Sequence, residues 1–172
     1  YADGLHIAVA HRGLSGLAGE SYRLEAGAHV MHMRADVEAR SAAGPSGRAY
    51  CDVLPAQPHL PDVLQRRWQY FLLWPNLAFD VYPEQIDFMQ MIPLGPGRTL
   101  IREVPYGLPD DRRATRVARY LNWRVNRVVN AEDRDLIISD WREEARKEEE
   151  KAKRKAERKA AASPSQELQG HI

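Results

Sequence analysis

An α+β fold, an antiparallel sheet with one long helix laid across a face, is predicted by three features of the sequence. Four β-compatible runs fill its middle, separated by turns that carry proline or glycine. After Asp110 the apolar residues switch to a helical period. The 172 residues suit one domain with a core and leave little for a second.

In chain order, Tyr1 to Ser15 mixes Gly4 and Gly13 with short apolar residues, the composition of a short helix breaking into a loop. SYRLEAG and HVMHMRADVEA alternate enough to be strands. SAAGPSGRAYCDVLPAQPHLPD, rich in Gly, Pro and Ser, reads as a long loop and a pocket cover. The runs Gln69 to Trp74, Leu77 to Tyr82, Gln85 to Ile92 and Thr99 to Tyr106 are strands, ended by WPN, YPE and PLGPGR because proline cannot donate to a ladder. Connections this short make them antiparallel neighbours. Asp110 or Asp111 caps the helix, and Ala114, Val117, Ala118, Leu121, Val125, Val128 and Val129 recur at steps of three and four, with the period carrying on to about Trp141. From Arg142 to Lys159, nine basic and six acidic residues leave no apolar stripe, so this tail is a solvated helix or disordered. The expected organisation is therefore a domain over 1–141 and a charged tail over 142–172.

Lys and Arg total 25 against 24 for Asp and Glu, so the net charge makes no case for nucleic acid or membrane as partner. No apolar run reaches the length of about 18 residues that spans a bilayer, and the N-terminus carries no secretory signal pattern. Cys51 is the only cysteine; with no internal disulfide possible, a reducing cytoplasm is the expected location.

The chemistry is concentrated in DGLHIAVAH, where Asp3 precedes His6 and four residues separate His6 from His11. A five-residue step does not keep two rings on one helix face, so a helical stripe does not account for the pair. Two histidines and a carboxylate can hold a divalent iron on one side and leave the opposite positions open. Asp133 in NAEDRDL is the candidate oxygen ligand, with Glu132 and Asp135 as neighbours that spacing alone leaves open. An isolated histidine pair of this spacing also arises by chance, so the motif needs its context.

That context is a resemblance. DGLHIAVAH followed by GLSGL, then WPNLAFDVYPEQIDFMQMIPLGPGRTLIREVPYGLPD, then NWRVNRVVNAEDRDL, three ordered blocks over about Tyr1 to Ile138, resemble the catalytic domain of the large (α) subunit of Rieske non-haem iron ring-hydroxylating oxygenases. The resemblance implies a helix-grip (START/Bet v1-like) sheet, Fe(II) held by His6, His11 and Asp133, and Asp3 as the acid bridging this iron to a neighbouring subunit's iron–sulfur cluster. It also implies a homotrimer, a reductase or ferredoxin as electron donor, and hydroxylation of an aromatic or quaternary-amine-type substrate by dioxygen.

One cysteine cannot build the [2Fe-2S] cluster of that family, so electrons must reach this chain from a cluster it does not contain. The family's preceding domain and the asparagine before the bridging acid are missing, and the charged tail replaces an apolar closing segment; the expectation is an N-terminally truncated catalytic domain. Met31, Met33, Phe71, Phe79, Phe88 and Met91 are expected to line the cavity between sheet and helix. The alternatives are a domain that binds an apolar ligand without turnover and a catalytically incompetent fragment.

Overall fold

The computed structural model describes residues 7, 10–38 and 43–162. Among these residues the strands β1 (Arg23–Ala26), β2 (Val30–Asp36), β3 (Arg67–Leu73), β4 (Leu77–Val81), β5 (Ile86–Gly95) and β6 (Arg98–Tyr106) form a single sheet in sequence order. Every neighbouring pair is antiparallel. This meander is what the short proline- and glycine-bearing connections require, and the strand ends agree with the sequence reading to within three residues. The β5–β6 turn uses Gly97 at φ 67, in the left-handed region that favours glycine.

Ahead of the sheet lies α1 (Arg12–Ala18), which buries Leu14, Leu17 and Ala18. The expected long loop over 41–62 contains a helix, α2 (Pro45–Val53). Pro45 occupies the first helical turn, where its missing N–H costs nothing and its φ is already helical. Tyr50 and Cys51 then share one inward face, 0% and 2% exposed. The Gly, Ser and Pro content that signals a loop thus marks a helix start, and tertiary burial decides the outcome.

The last described element is α3 (Arg113–Ala162). Ahead of its start, Asp110 Oδ1 accepts from the Arg112 N–H at 2.9 Å and Oδ2 from the Thr115 hydroxyl at 2.7 Å, so this aspartate closes a turn two residues before the cap position rather than occupying it. Two compact units divide this helix, one ending at Glu132 and the other beginning at Asp133. In the first unit Thr115, Ala118 and Asn122 are fully buried, and Leu121, Val125 and Val129 pack on the core. The second unit is helical through the charged run, with a Glu143–Lys147 pair at 2.6 Å, one turn apart.

The core gathers Leu17, Met33, Val37, Tyr50, Trp68, Tyr70, Tyr82 and Ala118. Trp68 Nε1 donates to the Tyr50 hydroxyl at 3.0 Å, and that hydroxyl donates to Glu84 Oε2 at 2.8 Å. Burying the polar tips of two large aromatics is tolerable only because each finds a partner. No helix among the described residues is long and apolar enough to cross a membrane.

Candidate active site

His11 ends up deep in the first unit, 1% exposed. Its backbone N–H donates to the Ile7 carbonyl at 3.0 Å, and its own carbonyl accepts from Ser15 at 2.8 Å, both steps of a helical path. The imidazole Nδ1 lies 2.8 Å from Glu132 Oε2 on α3. A carboxylate on Nδ1 holds that nitrogen as the N–H donor, which makes Nε2 the electron-pair donor of the ring. The partner comes from a residue 121 positions away. Of the two neighbours left open beside Asp133, Glu132 is bonded to His11.

Asp133, partly exposed, is the first residue of the second unit. Asp3 and His6 lie outside the described residues. Among the described residues no three His, Cys, Asp or Glu side chains converge as a metal group. His11 by itself fits a metal-ligating histidine: it is buried and orientated by a carboxylate.

Around it, the sheet divides its residues by strict alternation. Met33, Tyr70, Asp80 and Asp87 are successive partners across β2 to β5, and all four are buried. This is the side that meets α3, since Asn126 Nδ2 donates to the Tyr82 hydroxyl at 2.9 Å and approaches Asp87 Oδ2 at 3.4 Å. His32, Phe71, Phe79 and Phe88 are the corresponding row on the other side, with the His32 and Phe71 rings stacked at 4.3 Å. The expected cavity residues thus separate. Met31, Met33 and Met91 have the parity of the helix-facing side, whereas Phe71, Phe79 and Phe88 point away from the helix. A period of two groups residues by face but does not say which face is covered.

Missing from the sequence reading are the acids on the covered side. Burial pushes the Asp80 carboxyl up to about 8, with Asp87 and Glu103 adding repulsion and the Tyr82 hydroxyl opposing it. Asp87 is raised to about 6 by burial and by Glu103. Burial raises Glu84 to about 7 against its hydrogen bond from Tyr50. The signal was present in the alternation, where Asp80 and Asp87 fall in phase with buried Ala78 and Met89.

Comparison with known proteins agrees with this fold. The family model described as the ring hydroxylating alpha subunit, catalytic domain, matches residues 1–161. A comparison with curated protein sequences finds no match. Among solved structures, a quaternary ammonium Rieske monooxygenase linked to carnitine oxidation by gut microbiota aligns with a TM-score of 0.55 and 16% identity, over 79% of this chain and 33% of that one. The quaternary ammonium Rieske monooxygenase CntA in complex with an inhibitor aligns with a TM-score of 0.52 and 14% identity, over 79% and 32%. The chain spans about a third of the length of these two proteins. The antiparallel sheet with its long C-terminal helix is the fold of a Rieske oxygenase catalytic domain, and the chain belongs to the family of ring-hydroxylating α subunits.

Proposed function

We propose that this chain is the catalytic domain of a non-haem iron oxygenase that hydroxylates an organic substrate, aromatic or of quaternary-amine type. His6, His11 and Asp133 would hold Fe(II), which when bound supplies the redox chemistry with dioxygen. The observation that carries this reading is the buried His11 ring tied at Nδ1 to Glu132. Buried imidazoles bonded to a carboxylate on one nitrogen are the usual state of metal-ligating histidines. Glu132 acts here as a positioning residue and Asp133, next in sequence, as the ligand.

In this reading the chain's own side chains bind, orient and exclude water. Glu132 fixes the tautomer of His11, and the Tyr50, Trp68 and Tyr82 core keeps solvent from the covered side of the sheet. Asp3 would relay electrons from a [2Fe-2S] cluster on a neighbouring subunit, the cysteine content of these residues being too low to build one. A reductase or ferredoxin supplies those electrons, and a homotrimer brings the two centres together.

The test is iron content after anaerobic loading. We expect about one iron per chain, on the stoichiometry of a single two-histidine, one-carboxylate site, lost in His6→Ala and in Asp133→Ala. Unchanged iron in both variants would overturn the assignment, and no uptake by the parent chain would leave the apolar-ligand domain as the better reading.

A further inference from the structure

In the first unit, α3 carries an outer stripe that neither the core nor the iron reading uses. Arg116, Tyr120, Trp123, Arg124, Arg127 and Ala131 recur at steps of three and four, which sets them along one side of the helix. All but Ala131 are exposed. The Tyr120 and Trp123 rings stack at 5.9 Å and the Arg127 guanidinium lies 5.3 Å from the centre of the Trp123 ring, yet the two aromatics stay 54% and 50% exposed. Between Arg113 and Ala131 there are five arginines and no acid. Arg119 is committed to the Glu84 and Leu108 carbonyls. Arg116, Arg124 and Arg127 form no ion pair among the described residues.

The second unit, taken by itself, carries the complement. Ile138, Trp141, Ala145, Glu148, Glu149 and Ala152 also share one side of their helix and are all exposed. From Arg142 to Glu150 there are five glutamates against three bases. Glu143 is engaged by Lys147, whereas Glu148 and Glu149 form no ion pair among the described residues. Read in opposite directions, the two stripes have the same steps. Ala131 then falls opposite Trp141, Arg127 opposite Ala145, Arg124 opposite Glu148, Trp123 opposite Glu149 and Tyr120 opposite Ala152. Three of these five pairs set a large side chain against alanine, and one sets arginine against glutamate. Since packed helices interlock over neighbouring turns, Arg127 also reaches Glu149.

We propose that the arginine and aromatic stripe of the first unit is a docking surface for a second copy of this chain, whose Trp141 to Ala152 segment packs on it antiparallel. Each copy supplies both stripes, so the exchange is reciprocal and closes as a dimer. A second copy fits better than a foreign acidic protein because spacing, side-chain size and charge all match, and the same sequence supplies both halves. The contact covers the exposed rings of Tyr120, Trp123 and Trp141 and gives Arg124 and Arg127 the carboxylates they lack. It needs no iron and stands apart from the oxygenase reading. Its ion pairs are exposed, so the dimer is a weak one, in the micromolar range.

Sedimentation equilibrium of the full chain, at about 50 and about 500 mM salt, reads the contact through its screening. We expect association about tenfold weaker at the higher salt, the effect of two exposed ion pairs formed twice. Arg124→Glu with Arg127→Glu makes the two stripes alike in charge, and so does Glu148→Lys with Glu149→Lys. Each of these variants alone should fail to pair, and an equal mixture of the two should pair again, because each stripe then meets its opposite. Any trimer built by the sheet unit is common to all these chains, so the quantity read is the step in mass that follows charge. Circular dichroism checks folding; should a double variant not fold, Arg124→Glu and Glu148→Lys take the same roles. A parent chain that never pairs, association equal at the two salts, pairing kept by either variant alone, or a mixture that stays unpaired would each overturn the proposal.

Discussion

Glu132 Oε2 stands 2.8 Å from Nδ1 of His11, a contact between the N-terminal region and the long helix that ties the first histidine-bearing segment to the residue beside the expected iron ligand. Removing it should loosen metal binding without abolishing the site. For Glu132→Ala we expect an Fe(II) affinity lower by about 10- to 100-fold, the usual cost of losing a carboxylate behind a ligating histidine. Asp133→Ala should lose the metal outright. Competitive titration against a chelator separates the two, and equal losses would place Glu132 among the ligands.

Asp80 opposes Asp87 across β4 and β5, and its effect on stability has a definite sign. Its carboxyl is raised from 3.8 to about 8 in the folded chain, so between these values the native state holds more protons than the unfolded one. Stability is therefore fully supported below about pH 4 and falls as pH rises to about 8, as far as this group contributes. Asp87, raised to about 6, and Glu84, raised to about 7, act in the same direction. Each unit is worth about 1.4 kcal/mol, so Asp80→Asn should stabilise the chain at pH 8 by about 3 kcal/mol even if half the displacement is realised. Urea denaturation between pH 5 and 8 reads both the slope and its flattening in the variant.

Tyr50 joins Trp68 to Glu84 through one hydroxyl. Tyr50→Phe keeps the ring and strands a buried indole N–H and a buried carboxylate oxygen, at a cost of about 2 kcal/mol. Burial and the loss of its donor should also raise the Glu84 carboxyl further. Denaturation midpoints measure the first effect, and the Glu84 titration followed by carbon NMR the second.

The charged run after Trp141 touches stability least. Its ion pairs are exposed, like Glu143 with Lys147, and exposed pairs contribute little. Removing residues 142–172 should change the unfolding free energy of the sheet unit by less than about 0.5 kcal/mol and leave iron uptake intact. A larger loss would show that the expected domain over 1–141 needs its tail.

Strand positions and the helical period were legible because both are local. Proline in WPN and YPE and glycine in PLGPGR must end a ladder wherever the rest of the chain lies, and the apolar steps from Ala114 to Val129 mark one helix face. The three motif blocks were legible for the same reason, each being a short run of fixed spacing. The turn that Asp110 makes before the helix follows from its own side chain.

Three things were decided only when distant segments met. Pro45–Val53 became a helix because Tyr50 and Cys51 found a core to enter. Phe71, Phe79 and Phe88 took the side away from α3 while Asp80 and Asp87 took the covered one, a choice that alternation leaves open until the helix docks. Glu132 reached His11, a contact the sequence left open because spacing along a chain carries no information about a hydrogen bond closed across 121 residues.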